Sequence, residues 1–165
     1  MRACENGHCP EIVQLLDWQE HTDRYIMVLE CPSPCEGLNK LVESQGGELD
    51  EELAKPRLIL RQAAEAAEVC CKRGVFHRDI KMDNLLINTK TLEVKLIDFG
   101  CGDLLKSSTY QEFMGTRKYA SPEWRKKRKY QGKTATVYSL GMLLFVMLML
   151  PVRCRLYAGE TRETY

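Results

Sequence analysis

Eight consecutive residues, "HRDIKMDN" at 77–84, gather a histidine, an arginine, two aspartates, a lysine and an asparagine between apolar flanks. A further aspartate, Asp98, closes the apolar run "LEVKLI" that follows. Asp, Lys, Asn and Asp together suit a transferring phosphoryl group. Magnesium takes hard oxygen ligands, a hydroxyl nucleophile needs a carboxylate to receive its proton, and phosphate oxygens need a cation. In that chemistry Asn84 and Asp98 hold Mg²⁺, Asp79 orients the nucleophile, and Lys81 meets the γ-phosphate.

Such side chains act together only if the backbone brings them to one place. "NLLIN" at 84–88 and "LEVKLI" at 92–97, flanking "TKT", predict a β-hairpin. Its closure sets residues 79–84 beside Asp98, on loops at one mouth of a small sheet. Upstream, Leu60, Ala63, Ala64, Ala67 and Cys71 repeat at helical spacing, with Pro56 to open the helix and Gly74 to stop it. Before that, "IVQLLDW" at 12–18 and "RYIMVLE" at 24–30 read as two strands joined by the polar "QEHTD". Between strands and helix, "ECPSPCEG" carries two prolines and a glycine and reads as a linker. The run "SLGMLLFVMLML" at 139–150 reads as a helix buried on all faces and closed by Pro151. At about a dozen residues it is short of the roughly 20 a membrane span requires.

Composition narrows the function classes. With 24 Lys+Arg against 23 Asp+Glu the net charge is +1, so no bulk field draws the chain to nucleic acid or to a membrane. The one dense basic run, "RKKRK" at 125–129, reads first as a solvated loop, with a basic-patch binding protein as the weaker reading. Eight cysteines occur without a C-x-x-C pair and without an opening secretory signal. That pattern supports neither a zinc knuckle nor a disulfide framework; it implies reduced thiols and a cytoplasmic or nuclear protein.

"HRDIKMDN" at 77–84, "DFG" at 98–100, "GTRKY" at 115–119 and "SPE" at 121–123 resemble, in order and spacing, the catalytic loop and activation segment of eukaryotic protein kinases. The linker "LECPSPCEGL" and the stretches "VKLIDFGCGDLLKSSTY" and "GTRKYASPEW" resemble the Pim serine/threonine kinases more closely, over most of residues 12–150. The resemblance implies an α+β kinase fold: a partial small lobe of two strands in 1–30, a hinge in 31–38, an incomplete, mainly helical large lobe in 39–150, and a divergent tail in 151–165. It implies that His77 is structural. ATP would meet the Glu30 carbonyl and apolar contacts at Pro32, which has no N–H to donate, with Leu86 and Ile97 as the floor under the base. Lys81 and Thr116 follow the pattern of serine/threonine kinases, so the implied substrate is a protein hydroxyl. Pim-like enzymes favour basic peptides, for which Asp83 and Glu36 are the candidate contacts, with Lys40 nearby of the wrong sign. The activation segment, with hydroxyls on Ser107, Ser108, Thr109 and Tyr110, is expected to be held by its own contacts rather than by a phosphate.

Parts of the pattern depart. No G-x-G-x-x-G and no V-A-I-K-type lysine occur in the 165 residues, Thr136 stands where most kinases carry an aspartate, and Glu123 lacks its usual arginine partner. The expectation is the central piece of a longer Pim-like domain, a monomer when complete. The alternative is an inactive remnant that acts as a binding module.

Overall fold

The computed structural model describes residues 9–44 and 54–159, with side chains as far as Met149. In chain order the elements are β1 (Leu15–Glu20), β2 (Tyr25–Leu29), β3 (Cys35–Gly37), α1 (Leu38–Ser44), α2 (Ala54–Lys72), β4 (Val75–Phe76), β5 (Leu85–Asn88), β6 (Val94–Leu96), β7 (Asp103–Leu104), α3 (Pro122–Lys127) and α4 (Gly132–Gly159). The architecture is α+β, with helices and small antiparallel sheets in separate stretches of chain.

The α2 helix positions the hairpin that carries the site. Its apolar stripe buries Ile59, Ala63, Ala66, Ala67 and Cys70 in the main core, beside Leu85, Ile87, Val94 and Leu96 from β5 and β6. The chain then reverses at Gly74, whose φ of 71° is open to glycine and strained for most other residues. One buried polar side chain links helix to hairpin: Gln62 receives the Val94 N–H on Oε1 at 2.9 Å and donates Nε2 to the Leu92 carbonyl at 2.9 Å. Gln62→Leu leaves both backbone groups unpaired, and chemical denaturation is expected to show a loss of about 1–3 kcal/mol.

Three sheets are present among the described residues, ordered β1-β2, β3-β5-β6 and β4-β7, with antiparallel pairing throughout. The segment read as featureless linker therefore contains a strand: Cys35, Glu36 and Gly37 pair with Asn88, Ile87 and Leu86. Three residues are too few for an alternation pattern, so composition concealed it. The first strand also sits further along the chain than its apolar run suggests. Ile12 and Val13 lie against β6, with Val13 N–H on the Leu96 carbonyl at 3.0 Å, and the hairpin strand begins at Leu15. That hairpin buries little: Trp18, Tyr25, Ile26, Met27, Val28 and Leu29 are all exposed.

Two expectations for the apolar helix are corrected. It does not end at Pro151 but runs on to Gly159; a proline removes one intrahelical bond and can kink a helix without stopping it. Nor is it buried on all faces. Leu143 and Met147 reach the main core, whereas Val137 is 69% and Phe145 53% exposed. The helix also begins at Gly132, and its window Gly132–Met149 is long and apolar enough to cross a membrane by length and composition. Its packing against α2 is that of a core helix with one face uncovered.

A second, aromatic core joins β4 to residues 105–130. Phe76, Tyr110 and Tyr130 are buried together, with Phe113 and Trp124 packed against them. Tyr110 and Tyr130 stack at 5.5 Å between ring centroids and exchange backbone hydrogen bonds of 2.8 and 3.1 Å.

Candidate active site

Phe76, anchored in the aromatic core, leads the chain into the loop at 77–84. His77 is buried and accepts the Asp79 N–H on Nδ1 at 3.2 Å, so its proton sits on Nε2 and is donated to the Ile97 carbonyl at 3.0 Å. Burial pushes its pKa down, against the pull of that carbonyl bond and of nearby Asp79. A neutral imidazole that ties the loop to the end of β6 is a structural part, as the resemblance implied. It also packs edge-on against Phe99, 4.6 Å between centroids.

Asp79 is 6% exposed, and its carboxylate is the hub. Oδ1 accepts the Thr116 N–H at 2.8 Å; Oδ2 meets Lys81 Nζ at 2.8 Å and Asn84 Nδ2 at 3.3 Å. Asn84 Nδ2 also donates to the Asp79 carbonyl at 2.8 Å, and Lys81 Nζ donates to Thr116 Oγ1 at 2.8 Å. Burial alone would raise the Asp79 pKa; the bonds from Lys81 and Thr116 outweigh it and hold the carboxyl below its ordinary range. Burial likewise opposes the Lys81 charge, and the Asp79 bond overrides it and raises the pKa. Both groups are charged at neutral pH. The depressed Asp79 contributes stability that is complete above the unfolded carboxylate pKa and is lost as pH falls through the lower folded one.

Gly115 makes the approach to Asp79 possible. At φ 112° a Cβ there would stand 2.6 Å from the Arg78 carbonyl and 3.2 Å from Asp79 Oδ1. Of the four described non-glycine residues in the left-handed region, two lie here, Arg78 at φ 68° and Asp98 at φ 59°. Both flank the cluster, and such strain is held only where surrounding bonds overdetermine it. Arg78 supplies these: its guanidinium reaches the Cys101 carbonyl at 2.6 Å, the Gly102 carbonyl at 3.3 Å and Asp103 Oδ2 at 3.5 Å.

Asp98 is exposed, and only its Oδ1 is bonded among the described contacts, to the Gly100 N–H at 3.1 Å. The backbone ties it to the loop, since Ile97 N donates to the Asn84 carbonyl at 3.0 Å. The donor set fits magnesium. With Asn84 Nδ2 turned to Asp79, its amide oxygen faces away, and Asp98 keeps a carboxylate oxygen open, so two hard oxygens remain for a cation that completes its shell with phosphate and water. Among the described residues no group of three or more His, Cys, Asp or Glu is placed for a metal.

The nucleotide-side candidates lie on the face of the β3-β5-β6 sheet turned from the core. Leu86 pairs with Lys95, both half-buried, and Ile97 follows two residues after Lys95. The Glu30 carboxylate folds onto that face, where Oε1 accepts from Lys95 Nζ at 2.9 Å and from Gln14 N–H at 2.8 Å. Pro32 is half-buried just beyond. Lys95 also donates to the Pro10 carbonyl at 2.8 Å, a clamp that its place in an apolar strand does not announce. A cavity of about 220 Å³ opens on the other side of β5, lined by Ile59, Ile87, Lys55 and Lys90, away from these groups.

Of the substrate-side candidates, Thr116 is in the cluster. Asp83 is exposed and accepts Asn39 Nδ2 at 2.9 Å. Glu36 stands opposite Ile87, on the sheet face away from Leu86. Thr136 turns inward and donates to its own helix at the Gly132 carbonyl, 2.9 Å, so the loop is anchored by His77 and Asn84 instead. Glu123 is exposed in the first turn of α3.

The protein kinase domain model matches residues 1–162 of the chain. The chain belongs to the protein kinase family. Serine/threonine-protein kinase pim-2 of Danio rerio is 44% identical over 138 residues, 83% of this kinase chain and 44% of the relative. Serine/threonine-protein kinase prk-2 of Caenorhabditis elegans is 37% identical over 148 residues, 88% of the chain and 33% of the relative. NUAK family SNF1-like kinase 1 of Mus musculus is 31% identical over 140 residues, 84% and 20% respectively. The kinase chain thus resembles the Pim group most among these three and spans less than half the length of each.

Proposed function

We propose that the protein carrying this chain is a Pim-like serine/threonine kinase, transferring the γ-phosphate of ATP to hydroxyls of protein substrates. In this reading residues 1–30 belong to the small lobe, 31–38 to the hinge and 39–150 to the large lobe. One observation carries the proposal: a buried, ionised Asp79 whose carboxylate is aimed by Lys81, Asn84 and Thr116, next to an open Asp98.

Each residue then has a task. Asp79 Oδ1 has one described donor and a free acceptor site, which receives the substrate hydroxyl and its proton. Lys81, hinged between Asp79 and Thr116, turns its ammonium to the transferring phosphoryl oxygens. Asn84 and Asp98 hold magnesium, which when bound neutralises phosphate charge. Leu86 and Ile97 support the base, and Pro32 leaves recognition at the hinge to the Glu30 carbonyl. Basic peptides are the proposed substrates, with exposed Asp83 as the better placed of the two carboxylates. Incubation of the full-length protein with MgATP and basic peptides ending the comparison on Ser, Thr or Tyr tests the reading. Phosphate on Ser or Thr supports it; phosphate confined to Tyr, or none, contradicts it.

The activation segment supports a phosphate-independent enzyme. Arg78 is satisfied by Cys101, Gly102 and Asp103, and Tyr110 is 5% exposed, with its hydroxyl donating to the Leu104 carbonyl at 2.6 Å. Tyr110 is thereby removed from the hydroxyls open to modification, while Ser107, Ser108 and Thr109 remain exposed. Converting these three to alanine, or treating the enzyme with phosphatase, is expected to change kcat by no more than about twofold, the scale of ordinary surface substitutions. Activity that appears only after treatment by a second kinase would refute this.

A further inference from the structure

Residues 117–129 hold seven cations and one carboxylate, Glu123. The structure gathers them. Arg125 donates to the Arg117 carbonyl at 3.3 Å and the Lys118 carbonyl at 3.2 Å, which seats α3 on the turn Arg117–Tyr119 directly after Thr116. All seven side chains are exposed, and none has a described carboxylate partner within ion-pair distance. Glu123 is the carboxylate that feels this patch, beside Lys126 and Lys127, while Asp83 lies near the buried Tyr119 at its inner edge. One or two acids facing seven bases leave a net positive surface at the edge of the cleft.

We infer that Arg117, Lys118 and the run at 125–129 recognise acidic residues of a protein segment lying along the catalytic cleft. The inference deepens the kinase reading and rests on it for the direction in which substrate enters: Thr116 bonds Asp79 and Lys81, and Arg117 and Lys118 are the next two residues along the chain. Basic residues of the segment would face Asp83 and its acidic residues this patch, giving a substrate of mixed charge. An exposed stacking platform, which single-stranded nucleic acid uses, is missing from the patch: Tyr119 is buried, and Trp124 is sandwiched between Arg128 at 4.5 Å and Phe113 at 4.7 Å. Exposed cations act within a Debye length of about 10 Å at 0.1 M salt, so recognition weakens as salt rises.

The test is fluorescence anisotropy without nucleotide, using the full-length protein that carries these residues and two labelled serine peptides, one with four Asp or Glu beside the serine and one with four Gln. Phosphoryl transfer plays no part, so failure of the catalytic reading leaves the result readable. The acidic peptide is expected to bind about tenfold more tightly in low salt, with the difference abolished in a triple charge reversal, Lys126→Glu, Lys127→Glu and Lys129→Glu. A Lys126→Gln, Lys127→Gln, Lys129→Gln variant, gentler to the fold, should lose most of it. Equal binding of both peptides overturns the inference. So does a preference that survives both variants, or patch-dependent binding of an RNA oligonucleotide or anionic vesicles without binding of the acidic peptide.

Discussion

Asp79→Asn in the full-length protein is expected to lower kcat by about 10²–10⁴, the range of a positioned general base, with the KM for ATP little changed. Asparagine keeps the size of the side chain, and its amide oxygen can still accept from Thr116 N–H, so the loop retains its shape. What it loses is the charge that pairs with Lys81 at 2.8 Å and the capacity to take a proton. Asp79→Ala is expected to cost stability as well, because Thr116 N–H loses its acceptor and Lys81 its counter-ion, although Asn84 Nδ2 keeps the Asp79 carbonyl and Lys81 keeps Thr116 Oγ1. A steady-state comparison of the two variants, with thermal unfolding alongside, separates the effects. Full turnover in Asp79→Asn would remove the role given to this carboxylate.

Residues 1–165 expressed alone are expected to show no measurable kinase activity and poor monomeric yield. Phosphoryl transfer depends on positioning and charge stabilisation, and the 165 residues contain Asp79, Lys81, Asn84 and Asp98 but no glycine-rich loop and no V-A-I-K-type lysine. Half of the phosphate clamp holds ATP weakly. The fold is also short of cover: Trp18, Tyr25 and Met27 on the hairpin and Val137 and Phe145 on α4 are exposed. Each such side chain contributes about 1.5–3 kcal/mol when fully buried, against total stabilities of about 5–15 kcal/mol. Size-exclusion chromatography, thermal shift with MgATP and peptide phosphorylation check the expectation together. A stable monomer that turns over at about 1 per second, the low end for kinases, would show that these residues suffice.

The site was more legible in the sequence than its supports. Asp79, Lys81, Asn84 and Asp98 sit in short motifs whose chemistry constrains residue type, and the β5-β6 hairpin announces itself by apolar runs around a polar turn. Strands β3, β4 and β7 are two or three residues long and too short for any period. The burial of Tyr110 depends on Phe76 and Tyr130, which are distant in sequence, so local pattern offered four equivalent hydroxyls where the structure leaves three. Gln62 and Lys95 each look like a polar interruption of an apolar element; their partners Leu92, Val94, Glu30 and Pro10 appear only in three dimensions. The uncovered face of α4 escaped for the opposite reason. Composition reports how apolar a helix is, and only packing reports which face is covered.

The proposed chemistry meets its most direct test in a single-turnover experiment with the full-length protein, labelled γ-phosphate ATP, magnesium and a serine peptide, comparing wild type with Asp98→Asn. The expected result is label on serine in the wild type, requiring magnesium, and almost none in Asp98→Asn, whose one remaining neutral oxygen is a poor metal ligand. Equal label transfer by the two proteins would contradict the assignment of these residues to a phosphoryl-transfer site.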